Sequence, residues 1–372
     1  MPEFTYIDLF AGIGGLRVGA DASGGQCVFT SEHDRYARET YKANYLDGYE
    51  HEFYEGDIKL KPAADIPDHD LLLAGFPCQP FSLAGVSKKA SLGREHGFKD
   101  LTQGTLFYTL ADIIQQKRPK AFLLENVKNL KSHDHGNTYK LIMGTLVTDL
   151  GYKVSDKVID ARYFLPQHRE RCFIVGFDRS LGKDWDYHID GFRVDKYASK
   201  TRPPLGSILH SADDEVKPDG PFGKKGCYTD EFGRVDDKYV LSDRLWLYLR
   251  DRAAVQKAKG NGFGFSKVGT EDIANTLSSR YHKDGAEILV DRGDGVPPRR
   301  LTPRECSRLM GFDESGKSDF VIPVSDAQAY RQFGNSVAVP LVSAIISEIV
   351  PVMLTGKRGP DTVDYQRMLP DV

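Results

Sequence analysis

Cysteine is sparse in this chain of 372 residues: Cys27, Cys78, Cys172, Cys227 and Cys306 are five in all, scattered, with no CxxC and no Cys/His cluster. That argues against a disulfide framework and a zinc site, and it fits reduced cytosolic thiols. A surplus of one charge is missing too. Fifty lysines and arginines face 53 aspartates and glutamates, a formal net charge of −3, so nucleic-acid binding would have to rest on local basic patches. No apolar stretch reads as long enough to span a bilayer. Met1-Pro2-Glu3-Phe4 has neither the basic nor the apolar region of a signal peptide, so a cytoplasmic protein without a membrane partner is expected. Internal repeats and low-complexity tracts are absent. With 40% hydrophobic and 28% charged residues the composition is that of a globular protein, and the length implies two domains or one large domain with an insertion.

What is present is an alternation of buried-strand and helix patterns up to about residue 177. Strand-like segments are Tyr6 to Phe10, Cys27 to Ser31, Asp70 to Ala74, Ala121 to Glu125 and Cys172 to Phe177, with amphipathic helical stretches such as Leu106 to Lys117 and Tyr139 to Leu150 between them. This order predicts an α/β fold with a mainly parallel sheet covered on both faces. Residues 178 to 240 are polar and weakly periodic. A helix from Ser242 to Lys257, capped by Ser242, follows, then a β-like stretch around Ala286 to Asp291. This section reads as a second, irregular domain. The alternating pattern resumes with a helix from Val337 to about Ile349, and the last dozen residues read as a frayed tail.

Three loops at strand ends carry chemistry. Gly75-Phe76-Pro77-Cys78-Gln79-Pro80-Phe81 follows the buried run Leu71 to Ala74. Two prolines stiffen the loop and aim the thiol into the crevice where open α/β sheets bind ligands. Taken alone, Cys78 reads as one more buried small hydrophobe. Asp8-Leu9-Phe10-Ala11-Gly12-Ile13-Gly14-Gly15 is a strand entering a glycine-rich turn and a helix, but Arg17 stands where a dinucleotide fingerprint has its third glycine. A nucleoside without phosphates suits it better than a pyrophosphate. Glu32 ends the second strand, where an acid would bind ribose hydroxyls, and Asp57 stands at a third strand end, within reach of an adenine amino group. A structural turn beside two solvated acids is the competing reading. Glu125 ends another buried strand, and Gln167-His168-Arg169-Glu170-Arg171 reads on its own as a solvated charge run.

Together these segments, with Glu125-Asn126-Val127, Arg300-Leu301-Thr302-Pro303-Arg304-Glu305-Cys306 and Gln332-Phe333-Gly334-Asn335-Ser336-Val337, resemble the DNA (cytosine-5) methyltransferase family in that family's motif order. Ser82 to Lys89, Lys259 to Phe265, Ser278 to Val290 and Ile322 to Asn335 are similar to its bacterial Dcm branch.

The resemblance implies an S-adenosylmethionine-dependent methyltransferase (Rossmann-like) fold with three regions. These are a catalytic and cofactor-binding domain over 1–177, a target-recognition domain over 178–324, and a C-terminal segment over 325–355 returning to the first domain before a tail, 356–372. It implies methyl transfer from S-adenosyl-L-methionine to C5 of a flipped-out cytosine in double-stranded DNA. Cys78 would attack C6, Glu125 would hold N3 and the exocyclic amine, Arg171 would hold O2, and Arg169 would position the backbone or the domain junction. The cofactor site would comprise Asp8, Phe10, Gly12, Gly14, Gly15, Glu32, Asp57, Ile58, Pro77, Leu106, Asn335 and Ser336, with no metal. DNA contacts are expected from Gln79, Ser82, Ser87, Lys88, Lys89 and Arg94 in the loop after Cys78, and from Arg280, Tyr281, His282, Lys283, Arg300 and Arg304 in the recognition domain. The expected site is a C-rich palindrome such as CCWGG; another CC-containing site, or RNA, is the alternative. A monomer acting at the nucleoid is expected, with a cognate restriction endonuclease as a separately acting partner.

Overall fold

Period-two alternation along the buried strands sets the layers of the fold. The computed structural model describes residues 2–46, 52–77, 106–182, 185, 187–198, 201–211, 228–230, 233–260 and 264–357. The first part of the chain runs β1 (Phe4–Leu9), α1 (Gly15–Ala22), β2 (Gly25–Ser31), α2 (Arg35–Tyr45), β3 (Glu52–Tyr54), β4 (Leu71–Gly75), α3 (Leu106–Lys117), β5 (Ala121–Val127), α4 (Asn137–Gly144), β6 (Tyr152–Asp160) and β7 (Glu170–Asp178). Phe4, Tyr6, Leu71, Leu73, Ala121 and Leu123 belong to one buried cluster. Their neighbours Ile7, Leu9, Leu72, Ala74, Phe122 and Leu124 belong to another on the opposite face. A sheet buried on both sides is what near-continuous apolar runs such as Leu71 to Ala74 require.

The sheet order is β3-β2-β1-β4-β5-β7-β6. The pairs from β3 to β5 are parallel, whereas β7 runs antiparallel to both β5 and β6. This is the mainly parallel, helix-covered sheet that the alternation of strand and helix patterns predicts. β6 escapes a sequence reading because it is an edge strand whose interior, Lys153 to Val158, is only half buried.

The later part contributes α5 (Asp243–Ala258), β8 (Lys267–Val268), β9 (Leu289–Val290), α6 (Pro303–Met310), α7 (Asp326–Asn335) and α8 (Val339–Thr355). Ser242 caps α5, its hydroxyl accepting from the Leu245 amide at 3.3 Å. α8 returns to the first unit and packs on α1. A Cβ on Gly19 would lie 2.9 Å from Ser343 Cα, so that crossing needs glycine. The run from Asp326 to Thr355 is, by length and composition, apolar enough to cross a membrane, contrary to the reading of the sequence; 78% of its most apolar window is buried inside the protein.

The sequence reading ends the first domain at residue 177. Trp185, Tyr187, Ile189 and Phe192 pack in the same cluster as Phe177 and α8, so the first unit's core continues past that point. A third cluster joins Leu205, Leu277, Tyr281, Leu309 and Phe333 to Ile13 and Ala37, so the second unit packs directly on the first loop and on α2.

Candidate active site

The carboxyl ends of β1, β2, β4 and β5 open into a cavity of about 830 Å³, with the second unit closing its other side. In the antiparallel register Val127 faces Arg171 and Glu125 faces Phe173. Glu125 and Arg171 are therefore diagonal neighbours on one face of the sheet. Arg171 Nε lies 3.1 Å from Glu125 Oε1, and both residues line the cavity. Burial pushes the Glu125 carboxyl above its ordinary value, while Arg171 and Arg169 pull the other way. The result is a carboxyl that holds a proton more readily than usual, ion-paired with a guanidinium whose Nη1 donates to the Glu170 carbonyl at 2.9 Å.

Gly75 pairs with Glu125 across β4 and β5, so the segment entering the cysteine loop starts beside the carboxyl. Asn126 Nδ2 donates to the Phe76 carbonyl at 2.8 Å, which fixes the chain just before Pro77, itself a lining residue. Cys78 and the loop residues Gln79, Ser82, Ser87, Lys88, Lys89 and Arg94 lie outside the described residues.

Phe10, Gly12, Gly15, Glu32, Asp57, Ile58, Leu106, Asn335 and Ser336 line the same cavity. Phe10 holds φ +56°, the left-handed region that bulky side chains seldom occupy. Such conformations gather at ligand sites. Glu32 accepts from the Gly12 amide at 2.8 Å and the Asp34 amide at 2.6 Å. Burial raises its carboxyl, with those amides opposing. Asp57 carries an ion pair to Lys59 at 3.1 Å. A Cβ on Gly15 would come within 2.7 Å of Val337 Cγ2 and 3.0 Å of Ser336 Oγ, so bare backbone there lets the C-terminal segment approach the first loop at the cavity. Buried Gln332 leaves Nε2 without a partner at the cavity. The donor set fits a nucleoside carrying an amino acid: ring surface at Phe10 and Ile58, acids for hydroxyl and amino groups, and a spare amide for a carboxylate.

Other expected site residues lie elsewhere. Asp8 is fully buried away from the cavity lining, both carboxylate oxygens lacking a hydrogen-bond partner. Burial raises its pKa to about 8, with Arg17 opposing. Gly14 (φ +84°) makes room for the Tyr45 ring instead of lining the cavity. Arg17 turns inward, donating to Tyr41 Oη at 3.0 Å and pairing with Asp21. Arg169 is buried behind the cavity and donates to the carbonyls of Leu277 (2.8 Å), Gly334 (3.0 Å) and Ser336. It therefore ties β7 to both the second unit and the C-terminal segment.

Among the expected DNA contacts, two need correcting. Tyr281 is wholly buried and donates to the Ile288 carbonyl at 2.7 Å, and Arg304 is buried in an ion pair with Asp313. Neither can reach DNA without dismantling the core. Arg280 and His282 do line the cavity. Lys283 is exposed, and half-buried Arg300 lies over the Tyr330 ring. The sequence reading missed His33, Asp34, Ser279, Gln328 and Arg331 as lining residues. The helical spacing of Gln328, Arg331, Gln332 and Asn335 was the available signal for the last two.

A family model described as C-5 cytosine-specific DNA methylase matches residues 4–351. The DNA-cytosine methyltransferase of Escherichia coli is 47% identical over 391 residues, which cover 94% of this chain and 78% of that protein. The Type II methyltransferase M.NlaX of Neisseria lactamica is 45% identical over 351 residues, covering 93% of this chain and 96% of its own. Among solved structures, the S. pombe Dnmt2 methyltransferase superposes with a TM-score of 0.65 at 18% identity, over 93% of this chain and 97% of its own. That likeness concerns the fold.

Proposed function

The chain belongs to the C-5 cytosine-specific DNA methylase family and is a DNA cytosine methyltransferase, and from that premise we propose how its site works. The observation that carries the reading is the Glu125–Arg171 pair facing the same cavity as Phe10, Glu32, Asp57 and Asn335. A base and a nucleoside cofactor can thus occupy one chamber.

The target carbon cannot be reached inside a stacked duplex, so the cytosine is rotated out and enters beside Glu125. Glu125 shares its proton with N3 and accepts from the exocyclic amine, which makes C6 electrophilic. Its raised pKa suits that role. Arg171 steadies the negative charge that grows on O2. The Cys78 thiolate forms a bond to C6, and the displaced ring electrons make C5 nucleophilic. Phe10, Glu32, Asp57, Asn335 and Ser336 would hold S-adenosylmethionine, which when bound would supply the electrophilic methyl group that C5 takes. A solvent water then takes the C5 proton; the C–H electron pair re-forms the C5–C6 double bond, the C6–S pair leaves with the Cys78 thiolate, and the aromatic ring is restored.

The section between the first unit and α7 acts as the recognition domain, with Arg280 and His282 nearest the base. The target is a short CC-containing palindrome of the CCWGG type. The protein acts in the cytoplasm as a monomer, with a restriction endonuclease as a separately acting partner.

The test is transfer of labelled methyl to duplex DNA and to tRNA, then bisulfite sequencing of the product. Label in DNA at one repeated CC-containing site is the expected result. Label in tRNA alone overturns the reading, and label at a site without CC overturns the specificity.

A further inference from the structure

Helix α7 separates its faces sharply. Ala329, Tyr330 and Phe333 are buried in the third cluster, whereas Gln328, Arg331, Gln332 and Asn335, at helical spacing, line the cavity. Its rotation is fixed from both sides: Tyr330 Oη donates to the Leu301 carbonyl at 2.6 Å, and Gln332 Oε1 accepts from Thr40 Oγ1 at 2.9 Å. Arg331 is therefore aimed at the cavity mouth by a rigid support.

Four lysines and arginines line the cavity: Lys59, Arg171, Arg280 and Arg331. Lys59 is paired with Asp57 and Arg171 with Glu125. The exposed guanidiniums of Arg280, from the second unit, and Arg331, from α7, have no ion-pair partner among the described residues. Two unpaired cations from two units at one opening call for an anion that arrives with the substrate. A base can enter this cavity only if its own phosphates stay at the mouth. The planar fork of arginine matches a phosphate, and a solvent-exposed position suits a backbone outside the chamber better than a group enclosed within it.

We infer that Arg331 is a DNA-backbone contact, its guanidinium taking a phosphate beside the extruded cytosine. The inference rests on the base-extrusion reading above. It gives α7 two tasks one helical turn apart: Asn335 toward the cofactor and Arg331 toward the duplex. A positioning role of this kind carries no sequence information.

The experiment compares wild type with Arg331→Ala and Arg331→Lys in the full chain. It measures affinity for a CCWGG duplex and a scrambled duplex across a salt series, and affinity for S-adenosylhomocysteine. Arg331→Ala is expected to bind both duplexes roughly tenfold more weakly at low salt, with the slope of log K against log salt smaller by about 0.9. Arg331→Lys should keep the slope, and affinity for S-adenosylhomocysteine should not change. An unaltered slope overturns the inference. A loss confined to S-adenosylhomocysteine overturns it as well and assigns the guanidinium to the cofactor carboxylate. Methyl transfer by the wild type in the same preparation separates the two failures: without it the functional reading falls, whereas with it and an unaltered slope only the Arg331 assignment does.

Discussion

Replacing Glu125 by Gln removes a carboxyl that can take up and release a proton, and changes the shape of the side chain little. The amide is isosteric, keeps an oxygen able to sit where Glu125 Oε1 lies 3.1 Å from Arg171 Nε, and leaves Arg171 its bond to the Glu170 carbonyl. The folding penalty should therefore be about 1 kcal/mol, well short of the ~3–5 kcal/mol for stripping a buried ion of its only partner. The chemical penalty is larger. General acid catalysis is worth about 10²–10⁴-fold, or roughly 3–5 kcal/mol of barrier, and the burial that raises the Glu125 pKa equips this carboxyl to supply it. Single-turnover methyl transfer with duplex affinity measured alongside is the assay. Wild-type rate should decline as pH climbs through the raised pKa, because the protonated form is the active one, and the Glu125→Gln profile should lack that limb. A variant within tenfold of wild type at all pH values, or one whose whole defect is lost DNA binding, would refute the proton-sharing role.

Three further outcomes follow from the geometry. Asp8→Asn should flatten the fall of Tm with rising pH: a carboxyl raised by burial to about 8 contributes stability that is complete below its unfolded value near 4 and lost as pH rises through the folded one. Equal pH slopes for the two proteins would contradict this. Gly15→Ala places a methyl 2.7 Å from Val337 Cγ2. The overpacking, about 1–3 kcal/mol, should raise the S-adenosylmethionine dissociation constant by tenfold or more, as read by calorimetry, without weakening non-specific DNA binding. Asn126→Ala removes the tether on the Phe76 carbonyl. It should lower the rate of covalent attack about tenfold, for a lost bond worth roughly 1–1.5 kcal/mol, while cofactor affinity stays the same; an unchanged rate would show that the tether does not aim the cysteine loop.

Where side-chain period and environment agreed, the sequence could be read directly. The runs Leu71 to Ala74 and Ala121 to Leu124 are strands buried on both faces, and Ser242 begins its helix. The edge strand β6 hid because edge strands carry polar residues, and the antiparallel placement of β7 follows from that missed neighbour. That Glu32 and Glu125, at strand ends, would line one cavity was legible because topology sends those ends to one crevice. Asp8, Tyr281 and Arg304 were not. Each points into the core: Tyr281 donates to the Ile288 carbonyl, Arg304 is held by Asp313 and the Phe320 carbonyl, and the Asp8 carboxylate has no hydrogen-bond partner among the described residues, and no local pattern in the sequence marks that inward turn. The same holds for Arg169, whose acceptors at 277, 334 and 336 come from two distant segments.

Covalent capture is the measurement on which the mechanism stands. A duplex carrying 5-fluorocytosine at the target position cannot lose fluorine as a proton is lost, so addition at C6 followed by methylation leaves the enzyme attached. With S-adenosylmethionine present, the wild type should form a denaturation-resistant adduct whose cross-linked peptide contains Cys78, and Cys78→Ser should form none while still binding the duplex. An adduct with Cys78→Ser, or one mapped to another residue, would contradict the assignment.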